Sequence, residues 1–290
     1  MRLGLISPLL YPLAGVVLII AVWALACWFF NIPTVVLPSP DKVLRSLIIR
    51  SDLLLSEGWI TLKETLYGFV LALVIGLPLA VAVANSRPLN LMFYPLLIAL
   101  QSVPKVALAP MILVWLGTGL ESKLAIVWLV AFFPIIVDTA AGLRATPKEL
   151  LELAHSLNAS PLQIFLKVQL PAALPFIVTG AKVAITLAVI GAVIGEFIGS
   201  SEGLGFLLLS ATSQLDTPLA FAALFALSVL GIFAYALVGA GERMMAPWLP
   251  SSCVSSHSNL GPRLQFCLQC RAGAGGSHGA IIRSPAPTSA

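Results

Sequence analysis

The chain has 290 residues, of which 59% are hydrophobic and only 10% charged, against about 25% charged in a typical soluble domain. That deficit, with charge-free runs at 3–40, 65–86, 183–195 and 217–241, excludes the soluble globular class and points to a bilayer. Of the formal net charge of +4, three units come from Arg263, Arg271 and Arg283, which stand without an acid after residue 250. The rest of the chain is nearly neutral, with no basic stripe and interleaved aromatics of the kind that binds nucleic acid.

The predicted elements, in chain order, begin with a span at 9–30. Its length and its Trp23, Trp28, Phe29 and Phe30 do not suit the short core of a cleaved signal peptide, so it reads as retained. Cys27 within it is a packing residue. In 31–58, Pro33, Pro38 and Pro40 favour an extended lead-in. Ser39-Pro40 then opens a short amphipathic helix with Val43, Leu44, Leu47 and Ile48 on one side, suited to a membrane interface. A second span covers 60–84 and ends at the turn "NSRP". A third, 90–116, is interrupted by Pro104, Lys105 and Pro110; such breaks persist in a bilayer where protein or a cavity satisfies the freed carbonyls. After the turn "GTGLES" a fourth span covers 123–143. A polar hairpin follows, then a fifth span at 176–198, a Gly-rich loop at 199–218 and a sixth span at 219–241.

The expected fold class is therefore all-α: a polytopic membrane protein with six transmembrane helices. The expected divisions are 1–58, 59–249 with a loop at 144–175, and a low-complexity, disordered tail at 250–290. Six spans place both termini on one side. Arg2, Arg87, Arg144, Lys148, Lys167 and Arg243 fall there, against Lys42, Arg45, Arg50 and Lys123 opposite. The excess of basic residues predicts that the termini and the hairpin are cytoplasmic.

The hairpin interrupts an apolar chain with an ordered polar segment. Thr146-Pro147-Lys148-Glu149 fits a capping box, and Leu150, Leu153, Ala154 and Leu157 then share one helical face, with Glu149, Glu152 and His155 on the other. Asn158 and Ala159 form the turn, Asn being suited to a left-handed backbone. Ser160-Pro161-Leu162-Gln163 is a second capping box, and the second helix is expected to stop at Leu170-Pro171.

The order Glu152, Ala154, Asn158, then Val168-Gln169-Leu170-Pro171 resembles the EAA loop of bacterial ABC importer permeases, with Leu153, Asn158 and Val168 in place of Ala, Gly and Ile. The stretches "VLPSPDKV", "VPKVALAPMILVWLGTG", "FFPIIVDTAAGLRATPKELLELA", "LPAALPFIVTGAK" and "GEFIGSSEGLGFLL" are similar to the nitrate, sulfonate, taurine and pyrimidine-precursor branch of these binding-protein-dependent permeases. The resemblance implies an inner-membrane subunit whose hairpin is a coupling helix. Glu149, Glu152, Ala154, His155, Leu157, Asn158, Ala159, Leu170 and Pro171 are then the coupling residues. The implied partners are two copies of a cytoplasmic ATP-binding subunit, a second permease copy, an extracytoplasmic substrate-binding protein and membrane lipid. No G-x-x-x-x-G-K-[ST] loop occurs, so this chain is expected to bind no cofactor, with ATP and Mg held by the partner. The solute would be small, anionic or heterocyclic.

Lys105, Asp138 and Glu196 lie in or near spans and are candidates for lining the translocation path, the alternative being groups satisfied by local backbone. Gly191, Gly195 and Gly199 form a small-residue stripe that fits packing either between two copies or within one subunit. Cys267 and Cys270, with Cys253, His257 and His278, have only loose zinc-like spacing, and no metal site is expected. His155 is the one histidine before the tail, which disfavours a membrane enzyme. A self-sufficient ion-coupled transporter is the alternative function.

Overall fold

The computed structural model describes residues 7–31 and 33–245, and helices are the only regular elements among them. The expected tail at 250–290, with its cysteines and histidines, lies outside the described residues.

Helix α1 (Ser7–Phe29) touches the rest of the molecule sparingly. Trp23 stacks on Phe221 at 6.0 Å, and most of its other side chains from residue 14 are exposed, as lipid-facing residues would be. Helix α2 (Pro40–Ile49) has proline in its first turn and buries Val43, while Leu44 and Ile48 stay exposed. Helix α3 (Ser51–Asn85) is one continuous 35-residue helix that runs across the expected division at 58/59. Gly58 does not break it. A mid-helix glycine costs only about 1 kcal/mol, and here it leaves room for Leu204, 3.6 Å from where a Cβ would stand.

Helix α4 (Arg87–Gln101), a 3-10 turn at Lys105–Leu108 and helix α5 (Ala109–Leu116) form the interrupted third segment, whose two arms bend by 87°. Helix α6 (Leu120–Arg144) is central, with α3 on one side and α9 (Leu170–Gly199) on the other. These seams are built from small residues. Ala72, Ala80, Ala131, Ala184, Ala188 and Ala192 have no exposure, and Gly68 of α3 faces Val127 of α6 too closely for any side chain. In lipid, van der Waals contact at such close approach is the main attraction between helices.

Between α6 and α9 lie α7 (Lys148–Ser156), α8 (Pro161–Ile164) and a π-helical segment, Phe165–Gln169. The expected Gly-rich loop after α9 is corrected in one respect: it contains helix α10 (Leu204–Ser213), ahead of α11 (Thr217–Met245). "LGFLLLSATS" is too short to span a bilayer and is preceded by three polar residues, so hydropathy alone hides it. Arg50 pairs with Asp216 at 2.7 Å, which ties the α2–α3 junction to the start of α11.

Four of the described helices are long and apolar enough to cross a membrane: α3, α6, the continuous Pro161–Gly199 and α11. The bent pair Pro88–Gln101 and Lys105–Leu116 makes a fifth if it is one span, and Ala14–Phe29 is a shorter apolar stretch. The molecule is an all-α, polytopic membrane protein.

Candidate functional site

Helices α6 and α9 run antiparallel, so the hairpin lies at one end of the pair and residues 117–123 and 199–205 at the other, ~37 Å away for a 25-residue helix.

At the hairpin end, α7 has no buried residue. Leu150, Leu153 and Leu157 are 46%, 57% and 73% exposed, so the apolar face that the sequence predicts is left uncovered by the described residues of its own chain. Glu149, Glu152 and His155 are exposed too, and His155 Nδ1 lies 2.7 Å from the Leu151 carbonyl oxygen. The first capping box does not form. Pro147 occupies the N-cap, and Thr146, buried one residue earlier, donates instead to the Leu143 carbonyl at 3.0 Å. That bond closes the end of α6, so the hydroxyl is not available to α7. Asn158 adopts φ 53°, the left-handed turn expected of it, and Ala159 N donates to the Ala154 carbonyl. The second capping box is present: Gln163 N donates to Ser160 Oγ, and Ser160 N donates to Gln163 Oε1 at 3.0 Å.

The expected stop at Leu170-Pro171 is a second correction. The helix continues from Pro161 to Gly199. Pro171 has no N–H to offer and would break a regular α-helix. The turn before it is widened into a π segment, in which Leu170 N donates to the Phe165 carbonyl, and the chain passes the proline without ending. The second helix of the hairpin is therefore continuous with the membrane-spanning part of α9.

The other candidate residues fall in distinct places. Lys105 Nζ sits 4.7 Å above the Phe133 ring. Asp138 is half-buried on α6, its Cβ and carboxylate close to Gly180 of α9. Among the described residues neither has a salt bridge. Glu196 is fully buried and does not line the cleft described below. Thr61 Oγ1 and Gly205 N donate to its two oxygens, both at 2.6 Å, while Leu204 N donates to Thr61 Oγ1 and Gly203 N to Glu57 Oε2. These side chains satisfy the first N–H groups of α10, where the helix dipole also favours a negative charge. Gly191 and Gly195 pack on Val127 and Lys123 of α6, and Gly199 on Leu113 of α5. The stripe thus serves packing within the chain.

At the end opposite the hairpin is an open cleft of about 670 Å³ between α3, the start of α6 and the end of α9. Its lining includes Lys63, Glu64, Tyr67, Lys123 and Glu202. Lys123 Nζ donates to Glu64 Oε1 at 2.6 Å, and both groups are buried. Sequence reading missed Glu64 altogether and took Lys123 only as a loop cation. The signal was present in "ITLKETLYGF", where an acid sits within a helix destined for the membrane.

The structure thus defines a bundle of membrane helices with a polar hairpin at one end, whose leucine face is uncovered by the described residues. Residues 72–246 match the family described as "Binding-protein-dependent transport system inner membrane component". A probable ABC transporter permease protein of Haemophilus influenzae is 38% identical over 81% of this chain and 94% of its own length. The formylaminopyrimidine transport permease protein ThiX of Halalkalibacterium halodurans is 35% identical, covering 82% of this chain and 96% of its own. The putative aliphatic sulfonates transport permease protein SsuC of Bacillus subtilis is 31% identical over 85% of this chain and 89% of its own. Among solved structures, a chain of the inward-facing MetNI methionine ABC transporter matches with a TM-score of 0.59 and 25% identity, over 67% of this chain and 97% of that one. The chain belongs to the family of inner-membrane permease components of binding-protein-dependent ABC transporters. It is a transport subunit and not an enzyme.

Proposed function

We propose that this chain forms the translocation path of an ATP-driven importer, with energy supplied through the hairpin by a separate ATP-binding subunit. The observation that carries the reading is the uncovered leucine face of α7, fixed in place by the Asn158 turn, the Ser160–Gln163 cap and the continuous helix behind it. An apolar stripe of this size on a membrane protein's polar protrusion calls for a protein groove. Glu149, Glu152, Ala154, His155, Leu157, Asn158 and Ala159 would meet the partner, and Leu170 and Pro171 would carry the motion into α9.

In this reading two permease copies, each crossing the membrane six times with cytoplasmic termini, enclose the path. Two ATP-binding subunits dock below, holding ATP and Mg, and an extracytoplasmic binding protein delivers the solute. Lys105 and Asp138 are the path candidates, since ionisable groups at membrane depth without a counter-charge favour a wet cavity. The solute is small, and the relatives' names span a formylaminopyrimidine and aliphatic sulfonates.

The test is co-purification. The variant Leu153→Asp with Leu157→Asp places two charges on the docking face and leaves the transmembrane core untouched. It should extract from membranes as well as the parent and lose the ATP-binding subunit on affinity purification. Undiminished co-purification would sink the reading.

A further inference from the structure

We infer that the cleft at the end opposite the hairpin is the solute's first station on this chain, and that it selects an electrically neutral or zwitterionic planar solute bearing an N–H donor over a compact anion. The inference rests on the permease reading above, which puts this end of the molecule on the outside.

The size fits. At about 670 Å³ the cleft lies in the range of small-molecule sites, roughly 300–1,000 Å³. The charges cancel. The lining holds two ammonium groups, Lys63 and Lys123, and two carboxylates, Glu64 and Glu202. Lys123 is already committed to Glu64 Oε1 at 2.6 Å. An entering anion would find only Lys63, whose Nζ already lies over the Trp59 ring at 5.6 Å, and would meet two carboxylates as well, so it gains no net attraction.

The polar deficit has the opposite sign. Glu64 is only 3% exposed, yet its Oε2 has no hydrogen-bond partner. A buried acceptor left unpaired is costly, and Glu64 belongs to the lining of the cleft. An N–H group on the solute would supply what the protein lacks. Tyr67, also in the lining and 56% exposed, offers an aromatic face for a flat ring. Thr118, Gly119, Ser200 and Ser201 complete a polar rim suited to a solute with both donors and acceptors.

The experiment uses the purified permease–ATPase complex in lipid nanodiscs, with equilibrium dialysis of two probes: 2-aminopyrimidine, neutral and flat with an N–H donor, and methanesulfonate, a compact anion. The parent should retain 2-aminopyrimidine at least about tenfold better than methanesulfonate, a difference in Kd worth ~1.4 kcal/mol. Glu64→Gln should lose that retention. Glu202→Lys, at the exposed rim, should turn the preference toward methanesulfonate, and it decides the matter if Glu64→Gln does not fold. Equal or better retention of methanesulfonate by the parent, retention of neither probe, or a Glu202→Lys variant with unchanged preference overturns the inference. The ATP-binding subunit must co-purify in every sample. Its absence would count against the permease reading, whereas its presence without probe selectivity counts against the cleft alone.

Discussion

Glu196 has no solvent exposure and, among the described residues, no salt bridge. In a membrane helix such a carboxylate reads first as part of an ion or solute path. Its two oxygens instead accept from Thr61 and Gly205, and it works as a cap for α10. The geometry is tight around it. A Cβ on Gly203 would collide with the Glu196 carboxylate, and Gly203 itself has φ 102°, where a side chain is strained. Gly203→Ala is therefore expected to destabilise the protein by about 1–3 kcal/mol, read as a lower midpoint in a thermal aggregation assay of the detergent-solubilised chain. An unchanged midpoint would mean that the cap is looser than these contacts indicate. The sequence marked Glu196 as an unusual residue but could not give its role. Thr61 lies 135 residues away, and "GSSEGLGFLL" reads as loop until the helix it opens is seen.

The hairpin was the most legible element, because its signals are local. Asn158 takes the left-handed turn and Ser160–Gln163 forms its reciprocal cap, both between residues three or fewer apart. The readings at Thr146 and Pro171 failed for a shared reason. Each depends on the element next door: Thr146 closes α6 instead of opening α7, and Pro171 is absorbed by a π segment that periodicity does not encode. That segment sets the azimuth of the hairpin. Deleting Val168 should return the helix to regular α spacing and rotate the hairpin by ~100° relative to the membrane part of α9. The expected result is a chain that extracts and melts like the parent but no longer holds the ATP-binding subunit. Normal co-purification would show that the azimuth is unimportant for docking.

At the scale of the described helix bundle, the leucine face of α7 lies at one end of the α6–α9 pair and the charge-balanced cleft at the other. Composition made the membrane class and the helical architecture legible, since long apolar runs need no tertiary information. It did not reveal which ionisable groups would meet. Glu64 and Lys123, or Lys182 and Glu242, are paired only by the packing of α3 on α6 and of α9 on α11. The proposed orientation is checked by labelling intact cells with a membrane-impermeant maleimide. With Cys27, Cys253, Cys267 and Cys270 replaced by serine, Ser201→Cys should react from outside, and Glu152→Cys should react only after permeabilisation. The reverse pattern would invert the topology and place the cleft in the cytoplasm.

The cap on α10 also constrains how this sequence can drift over generations. The carboxylate at 196 and the bare backbones at 203 and 205 occupy one shared space. A substitution at any of the three changes what the other two can tolerate. Among descendants of this chain, loss of the acid at 196 should be accompanied by a side chain at 205, while 203 stays glycine in every lineage because its backbone demands it.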